Sequence, residues 1–250
     1  RKYLLEAKKN GYELIIYPYL YADNNYLKKF SENLDIIPVN AQPLTKVYYC
    51  NEGYGLIKFK TDRLGFRNND LIWDRLNDLE KKIVFIGDSY TQGACVKENE
   101  TISSHFNDYI TYNLGLDGNV PTIYSSLSKL FIQKIKPKFV IQLFYVNDFT
   151  EAHGSLFEKN LRINDLEKKY FKNQSKLELS ENVLNYINNA KKIINKIDLP
   201  QPGERKNIFF RGIRYLSLPT IRRYISIIYN KYFYRLSSSA KKSINILKQT

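Results

Sequence analysis

The chain is poor in the residues that build metal and redox centres. Its 250 residues include two cysteines, two histidines, one tryptophan and no methionine. Cys50 and Cys95 are too few for a disulfide framework or a four-cysteine metal site. His105 and His153 exclude a His-rich centre, and the sequence holds no metal-ligand cluster. No run reaches the roughly 18 consecutive apolar residues that a membrane-spanning helix needs. Acidic residues are missing from one end. Residues 205–250 carry 11 Lys/Arg and no Asp or Glu, whereas residues 1–150 carry 19 basic and 17 acidic residues. The net charge of +14 therefore belongs to the C-terminal segment.

What remains is the composition of a globular protein. Hydrophobic residues make up 43% and charged residues 26%, which argues against wholesale disorder and against a polytopic membrane protein. The length allows one large domain or one and a half. Residues 1–75 form a small β-containing extension: ELIIYPYLY (13–21) and GLIKFK (55–60) read as short strands, with turns at Asp23-Asn24-Asn25 and Glu52-Gly53. From about residue 76 the pattern changes. Ile83–Ile86 is a compact apolar strand stopping at Gly87, as in a sheet buried on both faces. Residues 99–110 place Ile102, Phe106 and Ile110 on one helical stripe, with His105 between core-facing positions. YNLGLDG (112–118) is a second strand, 121–135 a helix ended by Pro137, and KFVIQLFYV (138–146) a third strand. This order means βαβαβ and a parallel sheet, an α/β fold. Residues 156–235 read as a polar and basic insertion with a helix at 181–197, and a further helix starts at Ser238.

In an open parallel sheet, ligands sit outside the carboxyl ends of the strands. That rule selects Gly87-Asp88-Ser89, Gly115 to Gly118, and Asn147-Asp148. A hydroxyl, a glycine turn and a side-chain amide are the parts of an acyl-transfer site. Ser89 would attack a carbonyl carbon. The N–H groups of Ser89 and Gly118 and the Asn147 amide would face the developing oxyanion. Ser89 at a helix start adds donors that favour negative charge. Gly115 reads as a turn glycine, Asp88 as a residue that fixes the turn, Asp148 as a local bonding partner, and Cys95 as a small packed residue.

IVFIGDSYTQG (83–93), NLGLDG (113–118) and FYVND (144–148) resemble, in order and spacing, the first three blocks of the SGNH, or GDSL, hydrolases. KTDRLGFRN (60–68) looks like a segment that precedes the GDS block in bacterial members linked to surface polysaccharides. The resemblance implies a flavodoxin-like three-layer α/β/α fold and esterase or deacylase chemistry without metal or cofactor. It assigns the nucleophile to Ser89, the oxyanion glycine to Gly118 and the oxyanion asparagine to Asn147. The activity would be that of an O-deacetylase of carbohydrate or of a lipid-type esterase, with a small-molecule or carbohydrate ester as substrate. An O-acyltransferase of surface polysaccharide, or a non-catalytic carbohydrate-binding or assembly protein, would share the fold. Two departures stand out. Tyr145 occupies the position where the family usually has glycine, and the chain contains no D-x-x-H block. A serine hydroxyl needs a base. His153 is a stand-in candidate, and the expectation is that an Asp/His pair follows Thr250 in a longer reading frame.

The segment 205–235 mixes Arg and Lys with Ile, Phe and Tyr. It fits an amphipathic surface that meets anionic lipid or polymer, or a cap helix whose aromatics pack while its charges are solvated. Nucleic-acid binding through phosphate contacts and stacking is the weakest of the three readings. These features favour the cell envelope or a membrane surface over the cytoplasm.

Overall fold

All five residues of Lys82–Ile86 are buried. β-Branched and aromatic residues without polar alternation suit a strand covered on both faces. In the computed structural model, which describes residues 2–17, 38–50, 56–145, 148 and 166–196, this segment is the middle of a three-stranded parallel sheet. In chain order the elements are helix α1 (Lys2–Lys9), strands β1 (Glu13–Leu14), β2 (Lys46–Tyr48) and β3 (Lys58–Lys60), then a 3-10 helix (Asp70–Arg75). Next come β4 (Lys82–Ile86), the one-turn helix α2 (Ser89–Gln92), β5 (Ile110–Asn113), α3 (Pro121–Ile135) and β6 (Phe139–Gln142). The last described elements are α4 (Leu166–Tyr170), the hairpin strands β7 (Phe171–Asn173) and β8 (Glu178–Leu179), and α5 (Glu181–Lys196).

The parallel sheet has the order β5-β4-β6. Val84 of β4 lies opposite Tyr112 of β5 and Val140 of β6. The α/β reading with a parallel sheet therefore holds. Helix α3 begins with Pro121, whose fixed φ suits a first helical position. It buries Ile123, Leu127, Leu130, Phe131 and Ile135 along one face. It ends at Lys136 in a left-handed conformation, with the Lys136 N–H donating to the Ile132 carbonyl at 2.9 Å. Pro137 follows, and a residue before proline is disfavoured in the right-handed helical region.

Residues 99–110 do not form the expected helix. The chain makes two 3-10 turns, Glu98–Glu100 and Ile102–His105, and Ile110 already opens β5. Hydroxyl groups take the backbone bonds that a helix would use. Thr101 Oγ1 donates to the Glu98 carbonyl at 3.1 Å, and Ser104 Oγ donates to the Thr101 carbonyl at 2.7 Å. Such local bonds compete with helix formation. Ile102 and His105 are consequently exposed, so His105 does not stand among core residues.

The first 75 residues supply strands, as expected. β1 pairs parallel with β2, and β2 pairs antiparallel with β3, Val47 opposite Phe59. Their core is continuous with that of the parallel sheet: Tyr17, Val47, Phe59, Phe66 and Trp73 join one buried cluster with Val84, Tyr112 and Phe131. Trp73 lies 5.3 Å from Tyr112 and 5.8 Å from Phe131, centroid to centroid. Phe171, Leu179, Val183 and Ile187 of the C-terminal elements complete the cluster. The turns at 23–25 and 52–53, the segment 205–235 and the helix from Ser238 lie outside the described residues.

Candidate active site

The loop after β4 is built around two buried ends. Asp88 is the N-cap of α2: its buried carboxylate accepts the Tyr90 N–H at 2.9 Å. This is the turn-fixing role that the sequence suggests for it. Gly93 closes the turn at φ +74, a left-handed conformation that glycine adopts at no steric cost. The Ala94 N–H reaches back to the Ser89 carbonyl at 2.9 Å. Ser89 is the first residue of this single turn and is half-buried.

The loop after β5 is pressed against α2. Asn113 Nδ2 donates to the Thr91 carbonyl at 2.9 Å, and Asn113 Oδ1 accepts the Gly115 N–H at 2.9 Å. Gly115 has no positive φ. A Cβ there would stand 2.3 Å from Gln92 N. Gly115 is therefore a close-approach glycine rather than the turn glycine expected. Gly118 does need its conformation, φ +68. The Gly87 carbonyl accepts both the Leu116 N–H at 3.2 Å and Asn119 Nδ2 at 3.1 Å. These bonds hold the Gly118 loop beside the Ser89 loop. Neither the Ser89 nor the Gly118 N–H is spent on another described residue. Buried Asn119 is a site residue that the sequence reading missed; its only signal was its position directly after Gly118.

The loop after β6 is fixed by Asp148. Its buried carboxylate accepts the Tyr145 N–H at 2.9 Å and the Tyr124 hydroxyl at 2.8 Å. Burial and the adjacent carboxylate push the Tyr124 phenol far above its ordinary pKa. Tyr124 thus stays a donor. The structure brings together the loops of Ser89 and Gly118 and the turn of Asp148. Asn147 and His153 lie outside the described residues.

The segment 60–68 supports this site from below. Arg67, its side chain only 2% exposed, donates to the carbonyls of Gly93 and Val96 just after α2 and pairs with Glu98 at 3.3 Å. Asn68 brackets Asn113, accepting its N–H at 2.9 Å and donating to its carbonyl at 3.0 Å. Asp62 gathers these turns. Its Oδ1 accepts the N–H groups of Leu64 and Phe66, and its Oδ2 accepts Asn68 Nδ2 and Trp73 Nε1.

Cys95 is not a packed thiol. It forms a disulfide with Cys50, joining the loop after α2 to the end of β2 across 45 residues. Helix α2 stops after one turn, and the chain swings through positive φ at Gly93 and again at Cys95, φ +66. A continuing helix would have carried Cys95 elsewhere. The signal was the presence of two cysteines and no others. Among the described residues no group of three or more Cys, His, Asp or Glu side chains is placed to hold a metal ion, and no helix is long and apolar enough to cross a membrane. Comparison with protein-family models, with curated proteins and with solved structures finds no match to this chain.

Proposed function

We propose that the chain is a serine ester hydrolase of the SGNH type, working through an acyl-enzyme on a flavodoxin-like sheet. One observation carries the reading. Ser89 stands half-buried where the fully buried central strand ends, on a turn capped by Asp88, with the left-handed Gly118 loop held against it through the Gly87 carbonyl. Ser89 Oγ attacks the ester carbonyl carbon and its proton passes to a base. The alcohol leaves with a proton as the C–O bond breaks, and water then releases the acid and restores Ser89. The Ser89 and Gly118 N–H groups and the Asn147 amide meet the oxyanion. One such donor is worth roughly 2.7–4 kcal/mol in a well-studied protease. His153 is the candidate base within the sequence. The disulfide supports an oxidising compartment, consistent with the cell envelope. An anionic surface is the proposed partner of the basic segment 205–235.

The test is covalent. A fluorophosphonate probe is expected to label the protein once, and Ser89→Ala is expected to remove the label without changing the circular dichroism spectrum. Undiminished labelling of that variant overturns the assignment. An acyltransferase shares every step up to the acyl-enzyme; acylated sugar in place of free acid among the products identifies it.

A further inference from the structure

Tyr124 lies near the start of α3 and is fully buried. Its ring packs edge-on against Phe144, centroids 5.5 Å apart, and its hydroxyl donates to Asp148 Oδ2 at 2.8 Å. The same oxygen accepts the Tyr145 N–H at 2.9 Å, and the Asp148 N–H returns to the Tyr145 carbonyl at 3.0 Å. The ends of the turn from Tyr145 to Asp148 are thus joined twice, and the carboxylate in one of the two joints is held from α3. Asn147 belongs to that turn by its place in the chain.

A phenylalanine would fill the same space and meet Phe144 equally well. The hydroxyl instead pairs with a buried carboxylate, and burying such a pair costs desolvation on both sides. An apolar pair of the same shape is often as stable, so stability does not account for the hydroxyl. What the bond adds is direction. A carboxylate held by one donor presents its oxygen to a second along a defined line. The phenol is also well placed for both loops of the site. The Asp88 carboxylate, under the Ser89 turn, adds to the rise in the Tyr124 pKa, so the phenol lies within electrostatic reach of the loops after β4 and β6. We infer that Tyr124 is a positioning residue for the reaction at Ser89: its hydroxyl orients the Asp148 carboxylate, which sets the turn that carries Asn147. The inference rests on the esterase reading. It gives α3 a part in a site otherwise built from the loops after β4, β5 and β6, and Tyr124 acts only through Asp148.

Tyr124→Phe removes one oxygen and keeps the ring. In the full chain, at a temperature well below the unfolding transition, kcat for p-nitrophenyl acetate and the rate of fluorophosphonate labelling are expected to fall about tenfold or more, with KM changed by less than about twofold. Asp148→Ala is expected to lose at least as much. The double variant Tyr124→Phe/Asp148→Ala is expected to be no slower than Asp148→Ala alone, because the two side chains act as one unit. The Tyr145 amide is expected to exchange with deuterium faster in Tyr124→Phe than in wild type, while the Tyr90 amide, bonded to Asp88, is unchanged. If Asp148→Ala does not fold, the kcat and KM values and the amide exchange of Tyr124→Phe decide alone. Wild-type kcat in Tyr124→Phe overturns the inference, as does a rise in KM alone or losses that add in the double variant. If the wild-type serine is inert to the probe, the esterase reading fails and amide exchange decides the rest. Faster exchange at Tyr145 in Tyr124→Phe then leaves the turn set by Tyr124, and unchanged exchange overturns that as well.

Discussion

Asp62 ties the turns between residues 62 and 73 together. It is fully buried and its two oxygens accept four hydrogen bonds. Burial raises its pKa from 3.8 to about 6, while the four donors pull the other way. An acid with a raised folded pKa binds its proton more tightly when folded. Its contribution to stability is therefore full below the unfolded value and is lost as pH rises through about 6. Asp62→Asn replaces one acceptor by a donor facing donors, so it is expected to cost about 2 kcal/mol at pH 7. The gap between wild type and variant is expected to widen as pH falls from 7 to 4, by up to about 3 kcal/mol for the cited shift. Urea melts at four pH values measure this; a gap that stays constant means the carboxyl titrates normally. Nothing local in the sequence marks Asp62 out. Its partners Leu64, Phe66 and Asn68 lie within six residues, but its cost is set by burial, which the local sequence does not record. Ser89 and Gly118 were legible as candidates because each follows a strand end, which a short apolar run already displays.

At the scale of elements, α2 is the least self-sufficient. One turn of helix has little intrinsic stability, so what holds its end matters. Arg67 does that by donating to the Gly93 and Val96 carbonyls, with its guanidinium 4.6 Å from the centroid of the Phe59 ring of β3. Burial lowers its pKa, and Glu98 opposes that shift. Lysine offers a point charge and cannot reproduce the fork. Arg67→Lys is therefore expected to slow fluorophosphonate labelling of Ser89 by about tenfold at a temperature well below the unfolding transition. Labelling at the wild-type rate there would mean that Arg67 only stabilises the fold. The periodic helices were readable from sequence, 121–135 to the residue and 181–197 to within one. The segment 98–105 was not, since spacing alone cannot show that Thr101 and Ser104 turn their hydroxyls onto the backbone. The β7–β8 hairpin escaped because its strands are three and two residues long.

Across the whole molecule, the contacts that matter most join segments far apart in the chain. Gln92 Nε2 donates to the Tyr17 hydroxyl, and Asn68 holds the backbone of Asn113. Local periodicity carries no record of such pairs, which is why residues 1–75 read as an extension although their core runs into that of the parallel sheet. β6 shows the opposite situation. Among the described residues it lies at an edge of the three-stranded sheet, and Phe139 and Val140 are 46% and 43% exposed, unusual for parallel strands. The Cys50–Cys95 disulfide ties the end of β2 to the loop after the Ser89 turn. A cross-link spanning 45 residues is worth about 4 kcal/mol through the entropy it removes from the unfolded chain. The double variant Cys50→Ser/Cys95→Ser is expected to lose stability on that scale in urea, with the slope of the transition altered because its unfolded state is less compact. The same variant is expected to label more slowly at Ser89, because the loop that follows α2 loses its anchor to the β2 end. Alkylation of both cysteines in unreduced, denatured wild-type protein would show that the bond does not form, and the argument for an oxidising compartment would fall with it.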